Sequence, residues 1–399
     1  MLRRILILTI AVAIGLAIGQ EAEANWLKGW DKRIRLTIDH NDITSNLSNF
    51  PILIHLSNSS GRNSDDVSCV FDELTSNANR KKIAVTKSDG TTQCYVEIEK
   101  WDDANEQAWL WVKVSGTNSI SSSVDTVLYL YYDKDQTDNT SYVGDSGSTI
   151  ARNVWDGYFK MVQHLNETDI DGGSGDIKDS TSYVNNGTTK NMNTNDQVPG
   201  QIDGSFDFDG TNDYVNLGQP SSLDITGSIT ISAWIKPDVI FGAIVSKREW
   251  ISGPWGQYLF DIYQDNLRLV WYNSGSWQGN GSCNITSYIS IGKWAHVAGT
   301  YNTSTDEAAI YVDGIKRGSV IEPTGLRHYD VSTKIGIWTT TDSNLPRDPF
   351  NGRIDEVRIS NTARSAAWIK ASYERGRDHL LDFGGEEVAG NAIFFGINF

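Results

Sequence analysis

The sequence predicts an all-β protein made of two antiparallel β-sandwiches in series. Three observations carry this. Between residues 228 and 236, Ile229, Ile231, Ala233 and Ile235 alternate with Thr230, Ser232, Trp234 and Lys236, the period-two pattern of a half-buried strand. Six segments in the first third of the chain have the length of an average strand and are separated by polar turn signals. The chain also carries 14 Trp and 16 Tyr, residues that favour strands.

In order along the chain, Arg3 and Arg4 precede an apolar run over residues 5–19, followed by Ala22-Glu23-Ala24. That is the layout of a secretory signal peptide cleaved after Ala24, and the run is shorter than the roughly 20 residues a spanning helix needs. No later stretch is apolar enough to span, so no membrane span is expected after cleavage. The formal net charge of -16 argues against nucleic acid or an anionic membrane surface as partner. A secreted protein, extracellular or at the cell surface, is expected.

The first domain is expected over residues 25–135, with strands at 32–38, 50–56, 81–86, 93–101, 108–114 and 126–132. In the fifth of these, Ala108, Leu110, Val112 and Val114 share one side, opposite Trp109 and Trp111. Cys69 and Cys94 are a candidate disulfide pair that leaves Cys283 over, and the spacing of the three thiols gives no metal motif. Residues 136–153 are polar and turn-rich and are expected to be a linker.

The second domain is expected over residues 154–384. Residues 171–200 have no apolar period and predict a surface loop. Strands follow at 205–208 and 213–217 around the corner Asp209, Gly210, Thr211, Asn212, Asp213, where the chain must reverse. Asp313-Gly314 predicts a tight hairpin, residues 334–340 and 352–359 the closing strands, and residues 362–373 the one credible helix. Residues 385–399 form an apolar tail. It is expected either to fold back onto its own sandwich or to add as a strand to a neighbouring subunit.

Two resemblances attach to these residues. FDGTNDYV, AWIKP, WAHVAGTY, IYVDG and GRIDEVRI resemble a laminin-G-like domain of the concanavalin A-like lectin and glucanase superfamily, which implies a jelly roll for the second sandwich. NWLKGWDKRIRLTID, NFPILIHL, YVEIEKWDDANEQAWLWVKV and VDTVLYLYYD resemble a domain of unknown function found beside laminin-G-like domains in large secreted or surface proteins of bacteria and archaea. Asp133 stands where that family usually has glycine, which puts only the local turn in question.

The catalytic glucanases of the superfamily carry an E-x-D-x-x-E strand motif, which is absent here. Glu97 with Glu99, and Asp207 with Asp209, have a spacing of about 6.7 Å along a strand, near that of an inverting pair. Solvated carboxylates on an outer face are the plainer expectation. His164, His296 and His328 lack any nucleophile-elbow context, with His296 a strand residue, and there is no phosphate loop or HExxH. No catalytic residue is assigned.

Calcium is the candidate cofactor, because six to eight oxygens are what it takes and the Asp209 corner offers several. The resemblance points to Asp213 and Asp355. The competing reading is that these aspartates only bind turn amides. For sugar contact the candidates are Trp250, Trp255 and Trp277, which lie in loop-like surroundings, whereas Trp271 alternates with apolar partners as a core residue would.

The expected function is therefore non-catalytic binding of a carbohydrate or cell-surface ligand. The alternatives are a structural subunit of a filament or surface layer, self-associating through its C-terminal tail, and a polysaccharide-acting glycosidase. The leader is directly checkable: intact mass of the protein recovered from culture medium should place its first residue at Asn25, and a secreted species beginning at Met1 would contradict the signal-peptide reading.

Overall fold

A computed structural model describes residues 25–250, 254–273, 275–340 and 346–390, with the side chains of 250, 254, 255, 280, 281 and 340 excepted. The expected leader and residues 391–399 of the tail lie outside the described residues. Within them strands are the predominant regular structure, as the alternation predicts.

The first sandwich packs two sheets. One runs in space Asp382–Val388, Lys32–Ile38, Thr126–Tyr132, Ile83–Lys87, Gln93–Cys94; the other runs Phe50–Leu56, Gln107–Val114, Val96–Asp102, Val143–Asp145. Ile34, Leu36 and Ile38 share a core with Ile52, Ile54, Leu56, Leu110 and Leu130. Helix Cys69–Leu74, which has no counterpart in the expectations, buries Val70, Phe71 and Leu74. All three cysteines are free, so the candidate Cys69–Cys94 bridge does not form. Cys94 is buried in its strand, while Cys69 contacts the Tyr132 hydroxyl at 3.5 Å.

The expected domain limits fall elsewhere in space. Val143–Asp145 pairs parallel with Val96–Asp102, so residues 136–153 are part of the first sandwich and not a free linker. More consequential is Asp382–Val388, which crosses back from the end of the second sandwich to pair antiparallel with Lys32–Ile38. Side chains fix that register: Arg33 Nε donates to Glu387 at 2.6 Å, the Tyr132 hydroxyl to Glu386 at 2.7 Å, and Arg62 clasps Asp382 and Asp42. Phe383 is buried in the first core.

The second sandwich holds one sheet ordered Gln197–Pro199, Gly204–Asp209, Asn351–Ser360, Ile229–Pro237, Ala295–Asn302, Glu307–Val312, Ile315–Ile321, with Phe159–Gln163 branching from Asn351–Ser360. Its partner is ordered Thr188–Lys190, Tyr214–Gly218, Thr333–Ile335, Gly242–Trp250, Pro254–Tyr263, Asn266–Asn273, Ser276–Asn284. Short strands Trp338–Thr340 and Pro346–Arg347 branch from Gly242–Trp250 in the interior of that sheet. Asp313 and Gly314 both have positive φ (50° and 73°), the geometry of the predicted hairpin turn. Residues 171–200 are not a bare surface loop: they supply two of these strands and bury Ile177 and Met192 in the core. Their apolar residues are too sparse to show a period, yet Ile177 and Met192 fill gaps in the core while Tyr183 and Val184 stay exposed.

Both faces of the first sandwich's second sheet are covered, because the second sandwich and helix Ala366–Gly376 pack against its outer side. Ser365 caps that helix by accepting from the Trp368 amide at 3.2 Å, and Trp368 meets Phe50 edge-on with centroids 4.8 Å apart. Here Glu97 and Glu99 are 0% and 9% exposed, so they are not solvated carboxylates on an outer face. Glu97 accepts from Ser146, Ser180 and the Trp155 indole at 2.7, 2.5 and 2.6 Å. Glu99 accepts from the Trp111 indole at 2.5 Å.

His164 sits between them. Its Nδ1 lies 2.7 Å from Glu356 and 3.4 Å from Glu99, and its Nε2 lies 3.5 Å from Glu97. Burial works to lower the His164 pKa, but the Glu356 and Glu99 carboxylates override it and raise it well above the ordinary value. Burial likewise pushes Glu99 and Asp355 up, while His164 and Arg358 hold Glu356 low against its own burial. Strand bulges aim these groups: the registers of Val96–Asp102 and Asn351–Ser360 shift at Glu99 and Glu356, and Glu356 has φ 55°.

Two measurements follow from this packing. Phe383→Ala should destabilise the protein by about 3–5 kcal/mol, read from the shift of its urea unfolding curve. Because the folded-state pKa of His164 is raised, its stabilisation is complete below about pH 6.5 and is lost as pH rises through the folded value. Glu356, lowered on folding, contributes oppositely, losing its stabilisation only as pH falls below about 4.5. The stability gap between wild type and His164→Gln should therefore be widest near pH 6 and narrow toward pH 9; a constant gap would show that His164 is not charged in the fold.

Candidate functional site

Four neighbouring strands, Gly242–Trp250, Pro254–Tyr263, Asn266–Asn273 and Ser276–Asn284, form the platform for a groove of ≈ 670 Å³. Because strand side chains alternate, Tyr258, Phe260, Ile262, Leu267, Leu269 and Trp271 point into the core. Leu259 and Val270 then face outward, where they meet Ala243 and Trp338 in a separate apolar floor, with Trp277 packed against it. Trp338 arrives from the short strand Trp338–Thr340, which lies between Gly242–Trp250 and Pro346–Arg347. The volume lies within the range of about 300–1,000 Å³ typical of ligand sites.

Polar groups ring this floor. The Arg248 guanidinium lies 3.8 Å from the centroid of Trp338 and 4.4 Å from that of Trp277, a cation–π contact to each. Asp348 accepts from the Trp338 indole at 2.9 Å and fixes that ring. Arg268 grips Asp261 through two hydrogen bonds of 2.9 and 2.6 Å and lies over Tyr263. Gly256 keeps the arrangement open. A Cβ there would stand 3.0 Å from Trp277 and 3.1 Å from Arg248, so both would have to give way by a few tenths of an ångström.

Of the three tryptophans proposed for sugar contact, Trp277 lines this groove. Trp250 and Trp255 belong to the same strand pair, at its hairpin end, but their side chains lie outside the described residues. Trp271 is fully buried against Tyr301, as its alternation predicts. Sequence reasoning missed Trp338, Arg248, Tyr263 and Gly256. Trp338 sits in the closing segment 334–340, and only its parallel pairing beside Gly242–Trp250 brings it to the groove.

The three candidate calcium ligands do not converge. Asp209 accepts from the Thr211 and Asn212 amides at 2.7 and 3.2 Å, and Asp213 accepts from the Asp209 amide at 3.0 Å. Asp209 pairs with Asn351, so Asp355 lies four residues away, about 13 Å at the rise of a strand. Its carboxylate accepts from the Gln201 and Ile202 amides, each at 2.9 Å. All three carboxylates hold backbone amides, and they do not fit a shared ion.

The remaining candidates are structural. Glu97, Glu99 and His164 are sealed between the sandwiches. Asp207 lies 3.6 Å from Arg353. His296 is a buried strand residue pushed down to about 3 by burial, and His328 pairs with Asp224 at the surface. No helix among the described residues is long and apolar enough to cross a membrane.

Comparison with known proteins agrees with this architecture. Residues 209–370 match the family described as the concanavalin A-like lectin/glucanases superfamily, within the segment that resembles a laminin-G-like domain. No curated protein matches the chain. Among solved structures it is similar to domain 4 of AbnA, a GH43 extracellular arabinanase from Geobacillus stearothermophilus, in complex with arabinotriose: identity 18%, TM-score 0.40, covering 53% of this chain and 96% of that one. It is also similar to the binding domain of Paraclostridial Mosquitocidal Protein 1, with 16% identity, TM-score 0.41 and coverage of 54% and 52%. A third is the botulinum neurotoxin serotype D ligand binding domain in complex with N-acetylneuraminic acid, with 15% identity, TM-score 0.40 and coverage of 54% and 50%. The chain spans about half the length of these two toxin domains.

Proposed function

We propose that this is an exported, non-catalytic carbohydrate-binding protein that seats a glycan in the groove over Leu259 and Val270. The observation that carries the reading is the pair of indoles, Trp277 and Trp338, standing on an apolar sheet face with Tyr263, Gln278 and arginines around them. Flat rings bury the C–H faces of a sugar, while the surrounding donors and acceptors take its hydroxyls. The match of residues 209–370 to a lectin-containing superfamily supports binding as the role. Fold alone does not assign it.

Catalysis is disfavoured because, among the described residues, the acids at the groove are each engaged. Asp261 is held by Arg268, and Asp348 by the Trp338 indole. A glycosidase needs one carboxyl group free to donate a proton and another to act as base or nucleophile. Export rests on the leader layout at residues 1–24.

A glycan array followed by titration calorimetry tests the reading. Trp277→Ala should weaken the best ligand about tenfold, equivalent to about 1.4 kcal/mol, and Gly256→Val should do the same by displacing Trp277, both with a cooperative unfolding transition retained. Absence of any glycan ligand, or a ligand indifferent to both substitutions, would sink it.

A further inference from the structure

The groove is locally cationic on a strongly acidic protein. The chain as a whole carries a formal net charge of -16, yet among the described residues Arg248, Arg268 and Arg347 line the groove against a single lining carboxylate, Asp348. Arg268 is neutralised by Asp261 beneath it. Among the described residues no carboxylate lies within ion-pair distance of Arg248 or Arg347, and Asp348 is committed to the Trp338 indole.

Arg248 is the informative member. Its guanidinium is half-buried against Trp277 and Trp338, and its Nε is buried with no hydrogen-bond partner. Burial pushes its pKa down to about 10, with Asp348 and Asp261 opposing and Arg268 adding to the fall, so it remains a cation at neutral pH. Holding a partly desolvated cation without an anion is unfavourable. A neutral sugar would be served by the indoles and Gln278 without it. A planar guanidinium held flat against rings presents its remaining N–H groups in one plane, the geometry that matches the two oxygens of a carboxylate.

We propose that the groove selects an acidic glycan, one whose sugar carries a carboxylate, with Arg248 as the bidentate partner and Arg347 as a second cation on the exposed rim. This rests on the carbohydrate-binding reading and specifies its substrate class. A sulfate ester offers the same charge with different geometry, so the test separates the two.

The experiment is calorimetric titration of the full chain with matched probes: tetragalacturonate against its methyl ester, sialyllactose against lactose, and a sulfated galactan against its desulfated form. At least one carboxylate probe should bind tenfold or more tightly than its neutral counterpart, and more weakly at 0.5 M than at 0.05 M salt, as a charge contact requires. Arg248→Gln should abolish that preference, so that the acid and neutral forms bind alike. Arg347→Gln, at an exposed position, should reduce it several-fold and serves if Arg248→Gln fails to fold. Equal affinity for acid and neutral forms, a preference that survives Arg248→Gln, or binding of the sulfated probe alone would overturn the proposal. Neutral probes bound through Trp277 with no gain from the carboxylate would overturn this inference and leave the carbohydrate reading standing. Silence across the whole panel would remove both.

Discussion

The arrangement of the molecule depends on one constraint: charges sealed between two sandwiches must be balanced there, because no water is available to solvate them. His164 comes from the second sandwich, Glu97 and Glu99 from the first, and Glu356 from the second again. Arg358 joins Glu356 and lies over Trp111 and Trp155, while Arg375 reaches the Pro51 carbonyl across the junction. Neither sandwich closes this network alone. Separating them would leave each half with unmatched buried acids or bases, so the two behave as one cooperative body and the groove is carried on a fixed base.

Much of the fold was legible in the sequence because strands announce themselves by alternation. Lys32–Ile38, Phe50–Leu56 and Thr126–Tyr132 fall at the predicted limits, and the Asp313-Gly314 hairpin follows from turn chemistry alone. What alternation cannot show is a second partner for a sheet. Glu97 and Trp111 occupy positions that a free-standing sandwich would leave in water, and only the docking of residues 154–384 buries them. A bulge is equally silent. Glu99 and Glu356 look like ordinary alternating residues until a one-residue shift in pairing turns them toward His164.

The candidate groove was partly legible on other grounds. Trp277 stood out by composition, within a stretch rich in aromatic and polar residues. Trp338 lies 61 positions further on in a segment that reads as a closing strand, and no local pattern ties it to the groove. Gly256 is less visible still, since its role is the absence of a side chain under an indole. The aspartates misled in the opposite direction: a crowd of carboxylates at a sheet corner looks like a cation site until the turn amides they serve are seen.

The return of Asp382–Val388 to the first strand brings the two ends of the described chain side by side, with the Ala389 amide 2.8 Å from the Asp31 carbonyl and Lys32 paired with Val388. Tension applied through those two ends would act on that pair first and open the antiparallel ladder one rung at a time, as a zipper opens, without loading all rungs together. The sheet edge would yield at low force before the groove felt any strain. A protein tethered at both ends would thus extend by peeling off its outermost strand while keeping hold of what it had bound.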